Sequence, residues 1–308
     1  MAKECGADAV KFQTHMANAE TLKNAPAPSY FKGEPRYEYF QRTAFTKTQW
    51  KELACFCKEV DIEFLSSPFS NEAVDLLEDI GVRRYKVGSG EVTNLPMLER
   101  IAKTMKPVLL SSGMSSWEEL DAAVETLRAY HEEIIVMQCT SEYPCSYENV
   151  GLNLLDEMQK RYNLPAGLSD HSMTNYASFA AVTMGAVVIE KHLTFSRKMY
   201  GSDALHSLEP DEFKDLCDGI KAIDILNRTP INKDRKAEDL QEMKDIFQKS
   251  VVAGIEIKEG EVITEDVLAF KKPGTGFPAS KYKELIGKKA KQTLSTDKFI
   301  YPDMLSEG

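Results

Sequence analysis

The sequence predicts an α/β chain: a (β/α)8 TIM-type barrel lacking its first βα unit, followed by a small β-rich domain. Three observations predict it. Short β-branched runs alternate with amphipathic stretches, after the first gap at a spacing of about 22 to 30 residues, close to one βα unit. Polar residues gather at the downstream ends of those runs, the rim where such a barrel keeps its chemistry. The pattern changes after residue 226, where a charged stretch gives way to short strands with Gly and Pro turns.

The expected strands are 8–12, 62–65, 83–87, 108–110, 134–137, 166–168 and 186–189. Helices between them carry start signals. Thr46 and Gln49 form a capping-box pattern ahead of Trp50, Leu53, Ala54 and Cys57 on one face. Ser116 and Glu119 do the same ahead of Leu120, Ala123, Val124 and Leu127. Repeated strand–helix units imply a parallel sheet with helices outside. The stretch 14–45, with Pro26, Pro28, Gly33 and Pro35, reads as a long loop after a strand end. It is expected either to cover a substrate or to be a simple excursion. A helix is expected over 211–226, a linker over 227–245 and the β-rich domain over 246–308, leaving 1–226 for the barrel.

Bulk properties narrow the function. The chain has 308 residues, 43% of them hydrophobic, enough for one large core and a smaller one. A formal net charge of −10 argues against a nucleic-acid partner, since phosphate backbones need basic patches. It leaves room for an anionic small substrate in a locally positive pocket. No apolar run approaches about 18 residues, so no membrane span is expected. The N-terminal stretch lacks the layout of a signal peptide. The six cysteines form no CxxC pair and read as reduced thiols of a cytoplasmic protein.

The strand ends carry Lys11 and Gln13, Ser66 and Ser67, Lys86, Ser89 and Glu91, Ser111 and Ser112, Tyr143, Ser169 to His171, and Glu190 to His192. On a barrel these ends share one mouth. Lysines supply charge and serine hydroxyls directional donors, which suits a phosphorylated acid. The Gly88-Ser89-Gly90 turn and Ser112-Gly113 allow backbone amides to approach a phosphate closely. His171 and His192 end consecutive strands, which lie about 5 Å apart in a sheet. Two imidazoles with water and substrate oxygens suit Mn²⁺ or a similar divalent ion. His15, His131 and His206 are expected at the surface or in supporting positions. Glu91 and Glu190 are the carboxylates for acid–base work or ligand orientation. Glu190 has the alternative of an ion pair with a barrel lysine. Asp203 and His206 lie in a Gly-Ser-Asp segment, where Asp203 either acts on substrate or caps a turn.

The ordered motifs GADAVKFQTH, FLSSPFS, YKVGSGE, LLSSGMSS, QCTSEYP, GLSDHS, IEKHLT and GSDALHSLEPDEF resemble the N-acetylneuraminate (sialic acid) synthase family. Residues 246–308, with SVVA, IKEGEVIT, KKPGTG and LIGKKA, resemble that family's C-terminal antifreeze-like (SAF) domain. The resemblance implies a transferase that condenses phosphoenolpyruvate with open-chain N-acetylmannosamine or a related amino sugar. C3 of phosphoenolpyruvate attacks the aldehyde, water attacks C2, and phosphate leaves by C–O cleavage. It further implies a divalent metal, Mn²⁺ with Mg²⁺ or Co²⁺ as substitutes, held by His171 and His192.

By the same resemblance, Lys11, Ser67, Lys86, Ser89, Ser111 and Ser169 hold phosphoenolpyruvate. Gln13, Glu91, Tyr143, Asp203 and Lys272 meet the sugar, and Glu91, Glu190 and Lys11 are the catalytic groups. A domain-swapped homodimer is implied, each C-terminal domain capping the partner's barrel. The chain departs from the family twice. It starts near the end of the family's first helix, so a strand with a glutamate and an N-H-x-G turn is not in it. Lys272 stands where the family commonly has arginine, keeping the charge and losing the planar fork. The competing expectations are a non-catalytic remnant that binds ligand or a partner, and a synthase making another 3-deoxy sugar acid from a phosphorylated aldose.

Overall fold

A computed structural model of the chain describes residues 1–26 and 34–306. It divides into two units, Met1–Thr229 and Pro230–Gly308. Of the stretch read as a long loop, residues 27–33, with Pro28 and Gly33, lie outside the described residues.

The first unit runs α1 (Ala2–Cys5), β1 (Ala9–Thr14), α2 (Ala17–Glu20), α3 (Arg36–Thr43), α4 (Lys47–Glu59), β2 (Glu63–Pro68), α5 (Asn71–Ile80) and β3 (Tyr85–Val87). It continues through α6 (Leu95–Ala102), β4 (Val108–Ser111), α7 (Trp117–Arg128), β5 (Ile134–Cys139), α8 (Asn153–Tyr162), β6 (Ala166–Asp170), α9 (Tyr176–Thr183), β7 (Ile189–Lys191) and α10 (Pro210–Arg228). All seven strands are parallel to their neighbours, as a β/α barrel requires. β3 to β7 form one sheet in sequence order, and β1 pairs with β2. β2 and β3 share no ladder; Arg84 ties them through a two-pronged pair with Glu63 at 2.7 and 3.1 Å.

Alternation along each strand divides the core in two. One face, with Phe64, Tyr85, Val87, Val108, Leu110, Ile134 and Val136, packs beneath the helices. Fully burying such a side chain stabilises the fold by about 1.5–3 kcal/mol. The opposite face supplies Leu65, Leu109 and Met137 to the barrel's interior. That interior is tight: a Cβ on Gly167 would lie 2.6 Å from Met137 Sδ and 2.7 Å from Val188 O. Both expected capping boxes form, at Thr46 and Ser116. Ser70 and Asn94 cap α5 and α6 by single bonds, their side chains accepting from Ala73 N and Met97 N.

Every expected strand is present, but the seventh is displaced. Its ladder covers Ile189–Lys191 rather than 186–189, so Glu190 and Lys191 lie within the strand. The expected long loop holds two helices, α2 and α3.

The second unit has its own core of Val251, Ala253, Ile257, Ile263, Leu285 and Ile300. Its strands are β8 (Ser250–Ala253) with β9 (Leu268–Lys271), and β10 (Lys289–Ala290) with β11 (Leu305–Ser306), both antiparallel. The stretch read as a linker forms two short helices, α11 (Lys233–Asp239) and α12 (Gln241–Phe247). Asn232 caps α11 through both Asp234 N and Arg235 N, a local signal that a search for apolar period passes over.

Candidate active site

The alternation that packs the core also carries polar groups inward at the strand ends. Cys139, Ser169 and Glu190 stand in one row across β5, β6 and β7. On β1 and β2, Lys11 pairs with Leu65 and Gln13 with Ser67, all on the inward face. Lys86 and Ser111 reach the same space from β3 and β4.

Glu190 Oε1 is the focus of this space. It accepts from Lys11 Nζ at 2.9 Å, from Ser169 Oγ at 2.9 Å and from Lys86 Nζ at 3.3 Å. Lys86 Nζ also donates to Ser111 Oγ at 2.7 Å. Burial would raise the Glu190 carboxyl, but Lys11 and Lys86 together hold it far below the usual carboxylate range. Glu190 thus forms the ion pair with barrel lysines that its sequence position allowed. Burial pushes Lys86 down, opposed by Glu190 and reinforced by Lys11. Two ammonium groups and one hydroxyl thus converge on one anionic oxygen, with Ser111 bonded to Lys86 beside them, an arrangement suited to binding a phosphate or carboxylate.

The second cluster adjoins the first. The rings of His171 and His192 lie 5.4 Å apart between centroids, and Tyr143 flanks them at 4.4 and 6.1 Å. His171 Nδ1 is 2.9 Å from the carbonyl of Thr140. A carbonyl only accepts, so Nδ1 carries a proton, and in the neutral ring Nε2 is the nitrogen with the lone pair. Burial pushes His192 down to about 4, against the pull of Asp203, whose carboxylate lies 4.0 Å from Nδ1. Burial thus favours the neutral ring, the form that ligates a metal.

These rings fit one divalent cation. A metal–nitrogen bond of about 2.1 Å places a cation about 3 Å from each ring centroid, so two ligating rings have centroids within about 6 Å. Backbone and carboxylate partners on the outer nitrogens are the usual support for such ligands. Among the described residues, no group of three or more His, Cys, Asp or Glu side chains is arranged to hold a metal. Water and substrate would have to complete the coordination.

Other expected residues fall at different distances from these clusters. Ser67 is buried beside Gln13, which is exposed. Ser89 donates to Cys139 Sγ at 3.4 Å, which places it over the same rim. Glu91 stands apart from Glu190: it follows β3 and accepts from Asn94 Nδ2 at 2.9 Å. Burial raises its carboxyl, Asn94 opposes the rise, and the charge of Glu20 adds to it. Asp203 accepts from Ser202 Oγ at 3.2 Å and sits beside His192. Lys272 belongs to the second unit, where its ammonium lies 4.9 Å from the Phe247 ring.

Two features escaped the sequence reading. Cys139 lies 4.0 Å from His171 Nδ1, within the mouth rather than among inert thiols. Its place at a strand end was the available signal. His15, expected at the surface or in support, is stacked between Phe40 and Phe69 at 3.8 and 4.1 Å and bonded to Glu20 at 2.8 Å. This joins α2 and α3 to the rim. His131 is half-buried just before β5, its Nδ1 accepting from Glu133 N at 3.2 Å.

Comparison with known proteins places these features in a family. Residues 1–230 match the model of the NeuB family, and residues 248–306 match the SAF domain. The chain is 38% identical over 308 residues to an N,N'-diacetyllegionaminic acid synthase of Campylobacter jejuni, covering 97% of this chain and 92% of that one. It is 33% identical over 312 residues to a human N-acetylneuraminate-9-phosphate synthase, covering 99% and 87%. A crystal structure of an N-acetylneuraminic acid synthetase from Leptospira borgpetersenii, in complex with citrate, superposes with a TM-score of 0.68 at 26% identity. It covers 78% of this chain and 83% of that one.

Proposed function

The chain belongs to the NeuB family, and on that premise we propose that it condenses phosphoenolpyruvate with an N-acyl amino sugar, giving a nonulosonic acid and phosphate. The observation that carries this reading is the convergence of Lys11, Lys86 and Ser169 on one anionic oxygen, with Ser111 on Lys86, beside two neighbouring imidazoles. An enol phosphate bearing a carboxylate is the kind of ligand such a group grips.

In this reading Lys11 and Lys86 neutralise the phosphoenolpyruvate anion, and Ser67, Ser89, Ser111 and Ser169 orient it. Glu190 keeps the two lysines charged and aligned. Gln13, Tyr143 and Asp203 meet the sugar's hydroxyl and acyl groups. Glu91 is the acid–base group for the carbonyl oxygen as C3 of phosphoenolpyruvate bonds to the aldehyde carbon, a role favoured by the burial that raises its carboxyl. Water then adds at C2, and the C2–O bond breaks to release phosphate. His171 and His192 would hold Mn²⁺, Mg²⁺ or Co²⁺, which when bound supplies Lewis-acid polarisation of an oxygen. A second copy completes the reading, bringing Lys272 of its SAF domain to the sugar. A cytoplasmic setting suits the use of phosphoenolpyruvate.

The test is phosphate release from phosphoenolpyruvate with Mn²⁺ present. The acceptors are N-acetylmannosamine, the diacetamido sugar that would yield N,N'-diacetyllegionaminic acid, and a phosphorylated aldose. Release with either amino sugar is expected. Release with the phosphorylated aldose alone, or with none, overturns the proposal.

One substitution probes the rim. A Cβ on Gly113 would lie 2.5 Å from Ser89 Oγ and 2.7 Å from Ser141 Oγ. Gly113→Ala is expected to push Ser89 aside and raise the KM for phosphoenolpyruvate about tenfold, a loss of about 1.4 kcal/mol. Steady-state kinetics at varied phosphoenolpyruvate checks it; an unchanged KM removes Ser89 from the binding set.

A further inference from the structure

Successive residues of β6 and β7 face opposite ways. Ser169 and Glu190 point into the barrel and bond each other at 2.9 Å. Asp170 and Lys191 therefore point outward, where Ser178 of α9 meets Asp170. His171 and His192 come next and turn inward again. Asp170 and Lys191 are also the last paired residues of the β6–β7 ladder. Past that rung each histidine is tied to its own loop. Cys145 N donates to the carbonyl of His171, and Leu208 N donates to that of His192. No backbone hydrogen bond joins one histidine to the other.

The last rung is an ion pair. Lys191 Nζ lies 2.7 Å from Asp170 Oδ2, with the two side chains 3% and 0% exposed. Lys191 reaches further, donating to Ser172 O at 2.6 Å, Thr174 O at 2.9 Å and Ser172 Oγ at 3.2 Å. Asp170 in turn accepts from Ser172 N at 2.8 Å and Ser178 Oγ at 2.7 Å. A side chain of β7 thus grips the chain on both sides of His171. Desolvating two charges is expensive, and an apolar pair of similar volume often stabilises a fold as well or better. Stability alone therefore does not account for a charged pair here. Geometry does, because its many directed bonds fix one strand end against the other.

We infer that the buried Asp170–Lys191 pair is a positioning device that holds His171 and His192 at the separation a shared divalent cation requires. The inference rests on the metal reading above. Neither residue touches the substrate space, so both act through the imidazoles.

The experiment is Mn²⁺ binding to the full chain without substrates, followed by electron paramagnetic resonance. Lys191→Met keeps the apolar stem and removes the charge. Its Mn²⁺ affinity is expected to fall about tenfold, because Lys191 touches neither imidazole and acts only through the placement of the two strand ends. Phosphoenolpyruvate binding to the metal-free variant, measured by calorimetry, should stay within about threefold of wild type, a change worth under 1 kcal/mol. A folded Lys191→Met protein that binds Mn²⁺ within about twofold of wild type overturns the inference. So does an equal loss of phosphoenolpyruvate binding, which would mean general loosening. Should Lys191→Met not fold, Asp170→Asn, nearly isosteric, is judged by the same criteria. His171→Ala and His192→Ala separate the two readings. Mn²⁺ binding that survives both removes the metal reading, whereas its loss in both but not in Lys191→Met removes only this inference.

Discussion

Alanine at His171 or His192 is expected to abolish Mn²⁺ binding and to lower phosphate release at least about a thousandfold, or about 4 kcal/mol in transition-state free energy. The size follows from the ligand count. No third side chain among the described residues is arranged to take the place of either imidazole. One remaining ring cannot chelate, and a lost Lewis acid removes several kcal/mol of charge stabilisation. Folding should be little affected. The His171 ring makes one close hydrogen bond, to Thr140 O, worth about 1 kcal/mol. Thermal melting of the two variants, beside a Mn²⁺ titration, distinguishes loss of a ligand from loss of the fold. Either variant retaining turnover within about tenfold of wild type would show that the two rings are not the metal site.

The barrel was legible because its signals are local. Thr46–Gln49 and Ser116–Glu119 announce helix starts within four residues, and both boxes form. Val108–Ser111 and Ile134–Cys139 are apolar runs that no helix period explains. The seventh strand failed for a non-local reason. Charges at Glu190 and Lys191 read as a strand end, yet both are paired inside the fold. Their partners, Lys11, Lys86 and Asp170, come from β1, β3 and β6. The site shows the same divide. That Lys11, Lys86, Ser169, His171 and His192 share a rim follows from strand order alone. That Glu190 is an anchored anion, that Cys139 sits against His171, and that His15 is sandwiched by two phenylalanines depend on distances between elements far apart in sequence.

Lys86→Met separates stability from function. Lys86 is 2% exposed, and among the described residues its ammonium donates to Ser111 Oγ and Glu190 Oε1. Burial already pushes its pKa down, so the folded chain works against its charge. Removing a buried charge usually costs about 3–5 kcal/mol when its partner is orphaned. Here Glu190 keeps Lys11 and Ser169, both at 2.9 Å, so that penalty does not arise. The variant is expected to melt at or above the wild-type temperature. Its activity should nonetheless collapse. A cation about 4 Å from a substrate anion is worth about 4 kcal/mol at an effective dielectric near 20, so kcat/KM should fall about a thousandfold. A pH series adds a signed check. A depressed carboxylate contributes stability that is fully present above its unfolded pKa and declines as pH falls toward its folded one. Lys86 supplies part of the depression at Glu190. The melting temperature of Lys86→Met should therefore drop less than that of wild type as pH falls below about 4, toward the folded-state range of the carboxylate. A variant that is destabilised yet keeps normal kcat/KM would invert the argument, making Lys86 a structural strut and leaving Lys11 alone to meet the phosphate.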